Sequence, residues 1–185
     1  MWENVLLPDK DVFDRPARTV DIFINLLCSW GIAPLDSCYF GIAQSARDYA
    51  VDWAKALSQA PFTRPKTHYS AKSILAAEME IGQRTSRAMI IQTATSLTDL
   101  DARWNLALVD LIACHQFVME TASTVVDKAT RLVGGAGLFR SSPLEQMHRD
   151  SRAGILHQPF AGYDGRSWLG KLAFGIPPDI MPRWE

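Results

Sequence analysis

Residues 102–132 restrict the fold of this chain more than any other stretch. Trp104, Leu108, Leu111, His115, Val118, Ala122, Val125, Ala129 and Leu132 recur at alternating spacings of four and three. A helix turns once every 3.6 residues, so this spacing keeps all of these side chains on one face. An apolar seam of that length has to be covered along its whole extent, and side-by-side helices are what cover it. Gly134-Gly135 follows the seam and stops the helix, because glycine takes up the left-handed conformation of a helix C-terminus at little cost.

The flanking sequence supplies the partners. A helix is predicted over 34–59, with Pro34 in its first turn, Pro61 beyond its end, and Ile42, Ala46, Tyr49, Trp53 and Leu57 as its apolar stripe. The two prolines of 61–70 mark a loop. A second helix follows over 70–97, with Ile74, Ala77, Ile81, Ala88 and Ile91 facing inward and Glu78, Glu80, Arg84 and Arg87 on a solvated flank. Thr98 and Asp101 have the spacing of a capping box that opens the long third helix. Ser142-Pro143-Leu144-Glu145 opens a fourth, running to about residue 156: a cap serine, a first-turn proline and a glutamate at the third position. The expectation is an all-α, up-down four-helix bundle over 34–160. An irregular arm is expected over 161–185, rich in glycine, proline and aromatics. Within 2–13 the pattern is strand-like and turns at Pro8-Asp9, a strand with no partner in the sequence.

Several classes of function are disfavoured. A net charge of -1 gives no electrostatic case for nucleic acid or an anionic membrane. Cys28, Cys38 and Cys114 have no CxxC spacing, which argues against a zinc site or a disulfide framework and fits a reducing cytoplasm. The apolar run from Ile22 is broken by Asn25, Ser29, Gly31 and Pro34 and is too short to span a bilayer, and no signal peptide is read at the N-terminus. Only one Glu-x-x-His occurs, Glu145 to His148, without the second such pair that a di-metal carboxylate bundle uses, so such a bundle is not expected and no metal site is assigned. Nucleophile-elbow, Walker and Gly-x-Gly-x-x-Gly motifs are absent.

Among single residues, His115 lies inside the apolar seam. It reads either as a buried ligand or base, or as a core histidine bonded to a neighbouring helix; the lack of a second ligand at metal spacing favours the latter. His157 follows the fourth helix, beside Pro159 and Phe160. It is either a shielded, pKa-tuned imidazole or a cap on its own helix's carbonyls. Residues 134–137 offer backbone amides to a phosphate, against the negative end of the preceding helix dipole.

RLVGGAGLFRSSPLEQMHRDSRA (131–153) resembles the C-terminal signature of the acyl-CoA dehydrogenase superfamily. GIAQSARDYAVDWA (41–54) is similar to that family's first bundle helix, PFTRPKTHY (61–69) to its Phe-Gly-x-Pro connection, and VLLPDKDVF (5–13) to its last β-domain strand. The resemblance covers 4–160 and implies three parts in the family's enzymes: an N-terminal helical domain, a β-domain and this bundle. A flavin lies between the β-domain and bundles of two subunits. On this reading 1–33 is a β-domain remnant with its connector, 34–160 the bundle and 161–185 the arm. The chain would self-associate as a homodimer or homotetramer, and alone it would lack the enclosed cavity that turnover requires.

The branch turns on two residues. Gln158 stands where the dehydrogenases carry their catalytic glutamate, and an amide is no base near neutrality. His157 instead resembles the histidine of the flavin-dependent monooxygenase branch, which acts on aromatics or sulfur heterocycles with reduced flavin from a separate reductase; the resemblance makes His157 the catalytic candidate. Arg131, Gly134 and Gly135 match the family's cofactor contacts across the subunit interface. Thr63 replaces the glycine of the connection and Gln59 a flavin-phosphate arginine, so FMN stands beside FAD as the implied cofactor. A dehydrogenase with a relocated base and a non-catalytic oligomerisation module remain as alternatives.

Overall fold

The computed structural model describes residues 28–56, 63–98, 100–157 and 162–176, with the backbone alone for 28–29 and 100–107. The strand-like segment 2–13, Leu57, Gln59, Pro61, Gln158, Pro159 and Phe160 lie outside the described residues. Every element among the described residues is helical. A π-helical turn, Cys28–Ile32, leads into α1 (Ala33–Ala56), followed by α2 (Ser70–Leu97), α3 (Leu100–Val133), α4 (Pro143–Gly154) and α5 (Gly162–Ala173).

Helix α3 is the spine, and α1, α2, α4 and α5 all pack against it. Its seam is buried as the spacing predicts: Leu108, Leu111, His115, Val118, Ala122, Val125, Ala129 and Leu132 are all at most 5% exposed. Gly134 ends the helix with φ 86°, its N–H donating to the Thr130 carbonyl at 2.8 Å.

The inward faces of α1 and α2 differ from expectation. On α1 the buried stripe is Asp36, Tyr39, Ala43, Ala46, Ala50 and Ala54, while Ile42, Tyr49 and Trp53 flank it. Small side chains let two helix backbones approach closely, and this outweighs the burial of larger residues on the neighbouring face. On α2 the predicted isoleucine face is outside: Ile74, Ile81 and Ile91 are 57%, 66% and 56% exposed. Met79, Gln83, Ser86 and Thr93 face inward instead. Close fit again sets the rotation, since a Cβ added at Gly82 would come within 2.9 Å of Thr121 on α3. Glu80 joins the two helices through Arg47 of α1 at 2.9 Å, and Glu78 bonds Lys128 of α3 at 2.8 Å, so the acidic flank is a set of interhelical ties.

Both predicted caps were tested by the fold. Ser142 caps α4, its Oγ accepting from the Leu144 N–H, while Glu145 turns forward to Arg149. Thr98 does not open α3; its hydroxyl donates back to the Thr95 carbonyl at 2.7 Å, closing α2. The arm predicted to be irregular contains α5. Trp168 on α5 is buried with Ile32, Leu108, Leu111 and Ile112 in a second apolar cluster. Gln116 donates to the Gly162 carbonyl, and Arg166 bonds Glu120. The glycines of 161–185 masked a helix whose stability comes from docking on α3.

Two outcomes follow from this packing. A Cβ at Gly154 would run into the Met119 sulfur and stand 2.8 Å from the Tyr39 ring. Gly154→Ala therefore costs about 1–3 kcal/mol, read as a lower thermal midpoint by circular dichroism; an unchanged midpoint would mean that α4 is not seated against α1 and α3 there. Cys114 is buried, and its thiol is pushed up to about 12, first by burial and then by the Asp36 carboxylate. At pH 8 iodoacetamide should modify the exposed Cys38 in the folded chain but Cys114 only after denaturation, as peptide mass spectrometry would show.

Candidate functional site

His157 is positioned by the end of α4. Its N–H donates to the Gly154 carbonyl, which turns the chain back toward α1 and α3. The ring is half-buried and does not cap its own helix. Nε2 and the Tyr39 hydroxyl of α1 stand 3.4 Å apart, at the long end of hydrogen bonding, and the Tyr39 ring meets the imidazole edge-on with centroids 5.5 Å apart. Nδ1 is buried with no hydrogen-bond partner among the described residues. On the third side lies His115 of α3, its ring within 15° of parallel and its centroid 6.3 Å away.

Behind His115 stands Asp36. The His115 Nδ1–H donates to Asp36 Oδ1 at 2.5 Å, and both side chains are 1% exposed. Four residues, two from α1, one from α3 and one from the turn after α4, thus form a polar file: Asp36, His115, His157 and Tyr39. Burial pushes the Asp36 carboxyl up, and its bond to His115 pulls it back. Burial holds the His157 imidazole below its ordinary value, and His115 adds to this. Tyr39 is raised by burial and by Asp150 on α4. His157 is thus kept neutral near neutrality and is able to accept a proton or pass one on. Asp36 and Cys114 also line a cleft of about 450 Å³ whose other walls include Trp30, Ile90 and Leu97.

Arg131, Gly134 and Gly135 lie elsewhere, at the C-terminal end of α3. Sixteen residues of helix separate His115 from Arg131, about 24 Å along the axis, so one chain does not bring the predicted catalytic and cofactor residues together. The turn itself is open, with nothing within 4 Å of a Cβ at either glycine. Arg131 is largely exposed and bonds Asp127 through Nε at 2.8 Å, leaving its other N–H groups outward. Lys72 removes the electrostatic objection to an anion here. Its ammonium donates to the Arg131 and Leu132 carbonyls at 3.0 and 2.5 Å, placing a cation on the negative end of the α3 dipole. Burial, and then Lys66, lowers the pKa of Lys72. The turn thus combines an open backbone, a guanidinium beside it and a cation-capped helix end behind it.

Reasoning from the sequence missed Asp36, Tyr39 and Lys72. The signal for the first two was present: Asp36, Tyr39 and Ala43 share one helical face with the alanines that follow, so a stripe of small residues carries a carboxylate and a phenol inward. Lys72 left no such signal, because its carbonyl partners depend on the tertiary fold. Among the described residues no group of three or more His, Cys, Asp or Glu is placed to hold a metal ion, and no helix is long and apolar enough to cross a membrane.

Comparison with known proteins places this geometry in a family. The chain is 37% identical over 125 residues to the putative acyl-CoA dehydrogenase YdbM of Bacillus subtilis, which covers 68% of this chain and 32% of that protein. It is 29% identical over 143 residues to L-evernosamine nitrososynthase of a Micromonospora species, 76% of this chain and 34% of that one. The chain therefore spans about a third of the length of the curated relatives it matches. The solved structure of KijD3 in complex with FMN and a dTDP-linked amino-keto sugar superposes with a TM-score of 0.73 at 26% identity, covering 84% of this chain and 39% of that one. The acyl-CoA dehydrogenase C-terminal domain model matches residues 37–161, and the chain belongs to that family.

Proposed function

We propose that this chain is the up-down four-helix C-terminal bundle of a two-component flavin-dependent monooxygenase. The observation that carries the reading is His157: a desolvated imidazole, held against Tyr39 and His115, next to a glutamine where a dehydrogenase has its base. The nitrososynthase and FMN-bound relatives support it. When bound, FMN or FAD reduced by a separate reductase would supply the electrons that activate dioxygen.

The chain's own residues have narrower tasks. Arg131, with the turn at Gly134 and Gly135, would hold the phosphate side of a flavin nucleotide, and the separation of that turn from His115, which stacks on His157, supports a flavin shared by two subunits. Tyr39 orients the His157 ring through Nε2. His157 takes or returns a proton at the reacting edge of the substrate, a step a neutral imidazole performs and Gln158 cannot. The apolar wall around the file keeps water from competing.

A second reading rests on a separate observation. Ile74, Ile81 and Ile91 form an exposed apolar row along α2, which favours self-association whether or not the chain is catalytic.

The test uses the complete gene product with a flavin reductase, NADH, FMN and oxygen, against a panel of phenols, thiophenes and amino sugars. Oxygen-dependent product is expected, with His157→Ala lowering its rate by about 10²–10⁴-fold. No product across the panel, together with bleaching of bound flavin by an acyl-CoA, would replace this reading with the dehydrogenase one.

A further inference from the structure

The file of polar residues holds two histidines face to face but only one carboxylate. The ring planes of His115 and His157 are within 15° of parallel, with centroids 6.3 Å apart. At that separation two imidazolium rings repel, so the pair holds at most one positive charge near neutrality. Which ring holds it follows from their partners. His115 meets Asp36 at 2.5 Å with both side chains out of water, closer than the ~2.7–2.9 Å of an ordinary charge-assisted N–H···O bond, as a strongly held proton between them requires. His157 meets only a phenol, at 3.4 Å.

We propose that Asp36 and His115 share one proton and act as a positioning pair, presenting a charged ring that keeps His157 neutral with its Nε2 turned to Tyr39. This rests on the reading of His157 as the working imidazole, yet it concerns ring charge and not turnover. Neither member touches the reacting atoms; each acts through His157. The other charged groups nearby do not account for the effect. On α1 and α3, Tyr39 is neutral and Cys114 keeps its proton beside Asp36. On α4, Asp150 acts on Tyr39, Arg149 is held by Glu145 and Arg152 is exposed. On α5, Arg166 is held by Glu120.

The experiment is a pH titration of the full chain labelled with ¹⁵N-histidine, reading ring nitrogen shifts by NMR and assigning His157 from its loss in His157→Gln. In the native chain both His115 nitrogens should carry protons at pH 7, and His157 should be neutral and remain so below the usual imidazole range, ~6.5. His115→Phe keeps a flat ring and removes the charge; Asp36→Asn keeps an acceptor and removes the counter-ion. In each, His157 should take up its proton about one pH unit higher than in the native chain. Either folded variant decides the matter, because each removes the positive ring: His115→Phe directly, and Asp36→Asn by taking away the carboxylate that holds its proton. An unmoved His157 titration would overturn the proposal. So would a neutral His115 ring in the native chain, which needs no substitution. If His157 shifts as expected but His157→Ala leaves product formation intact, the proposed activity fails and the charge coupling stands.

Discussion

Close approach of α1 to α3 is the constraint on which the rest of the molecule depends. Ala43, Ala46, Ala50 and Ala54 present almost no bulk to the spine and are at most 3% exposed, so the two helices can approach closely. That closeness lets the short Asp36 side chain reach His115 across the gap. It also brings Tyr39 over the end of α4, where only a glycine fits. Larger residues on this face would separate the helices and dissolve the polar file before altering any member of it.

What could be read in the sequence divides along physical lines. The α3 seam, its glycine stop and the serine cap of α4 were legible because each is a local matter of period, backbone freedom or one hydrogen bond. The rotations of α1 and α2 were not. A count of large apolar residues favours the Ile42 and Ile74 faces, whereas packing selected alanines on one helix and Met79, Gln83 and Thr93 on the other. Helix α5 was hidden for a related reason, since its glycines lower helix propensity and its anchor, Trp168, acts through contacts with residues more than fifty positions away. Of the candidate site, the family motif marked His157 and the glycine turn, but the groups that set the state of His157 come from other helices.

The spine therefore carries two chemically distinct regions. Its middle is a desolvated polar file in which charge is held by one carboxylate and one ring. Its C-terminal end is an open turn of glycines and a guanidinium. Separation by several helical turns means that, on the proposed function, a single chain would not bring both regions to one flavin. An assembly in which one copy supplies the turn and another the imidazole would use both regions at once.

Lys72 gives the glycine turn a further property. Its ammonium rests on carbonyl oxygens and not on a carboxylate, while Arg131 is matched by Asp127. Among the described residues no acidic side chain is bonded to Lys72, so its full charge exceeds the partial negative charge of the helix end beneath it. Charge of this kind draws anions from a distance set by the Debye length, about 8 Å at physiological salt. On the proposed function, capture of a phosphorylated molecule at this end would be governed by ionic strength and the histidine end by pH, so the two regions of one helix would answer to different properties of the solution.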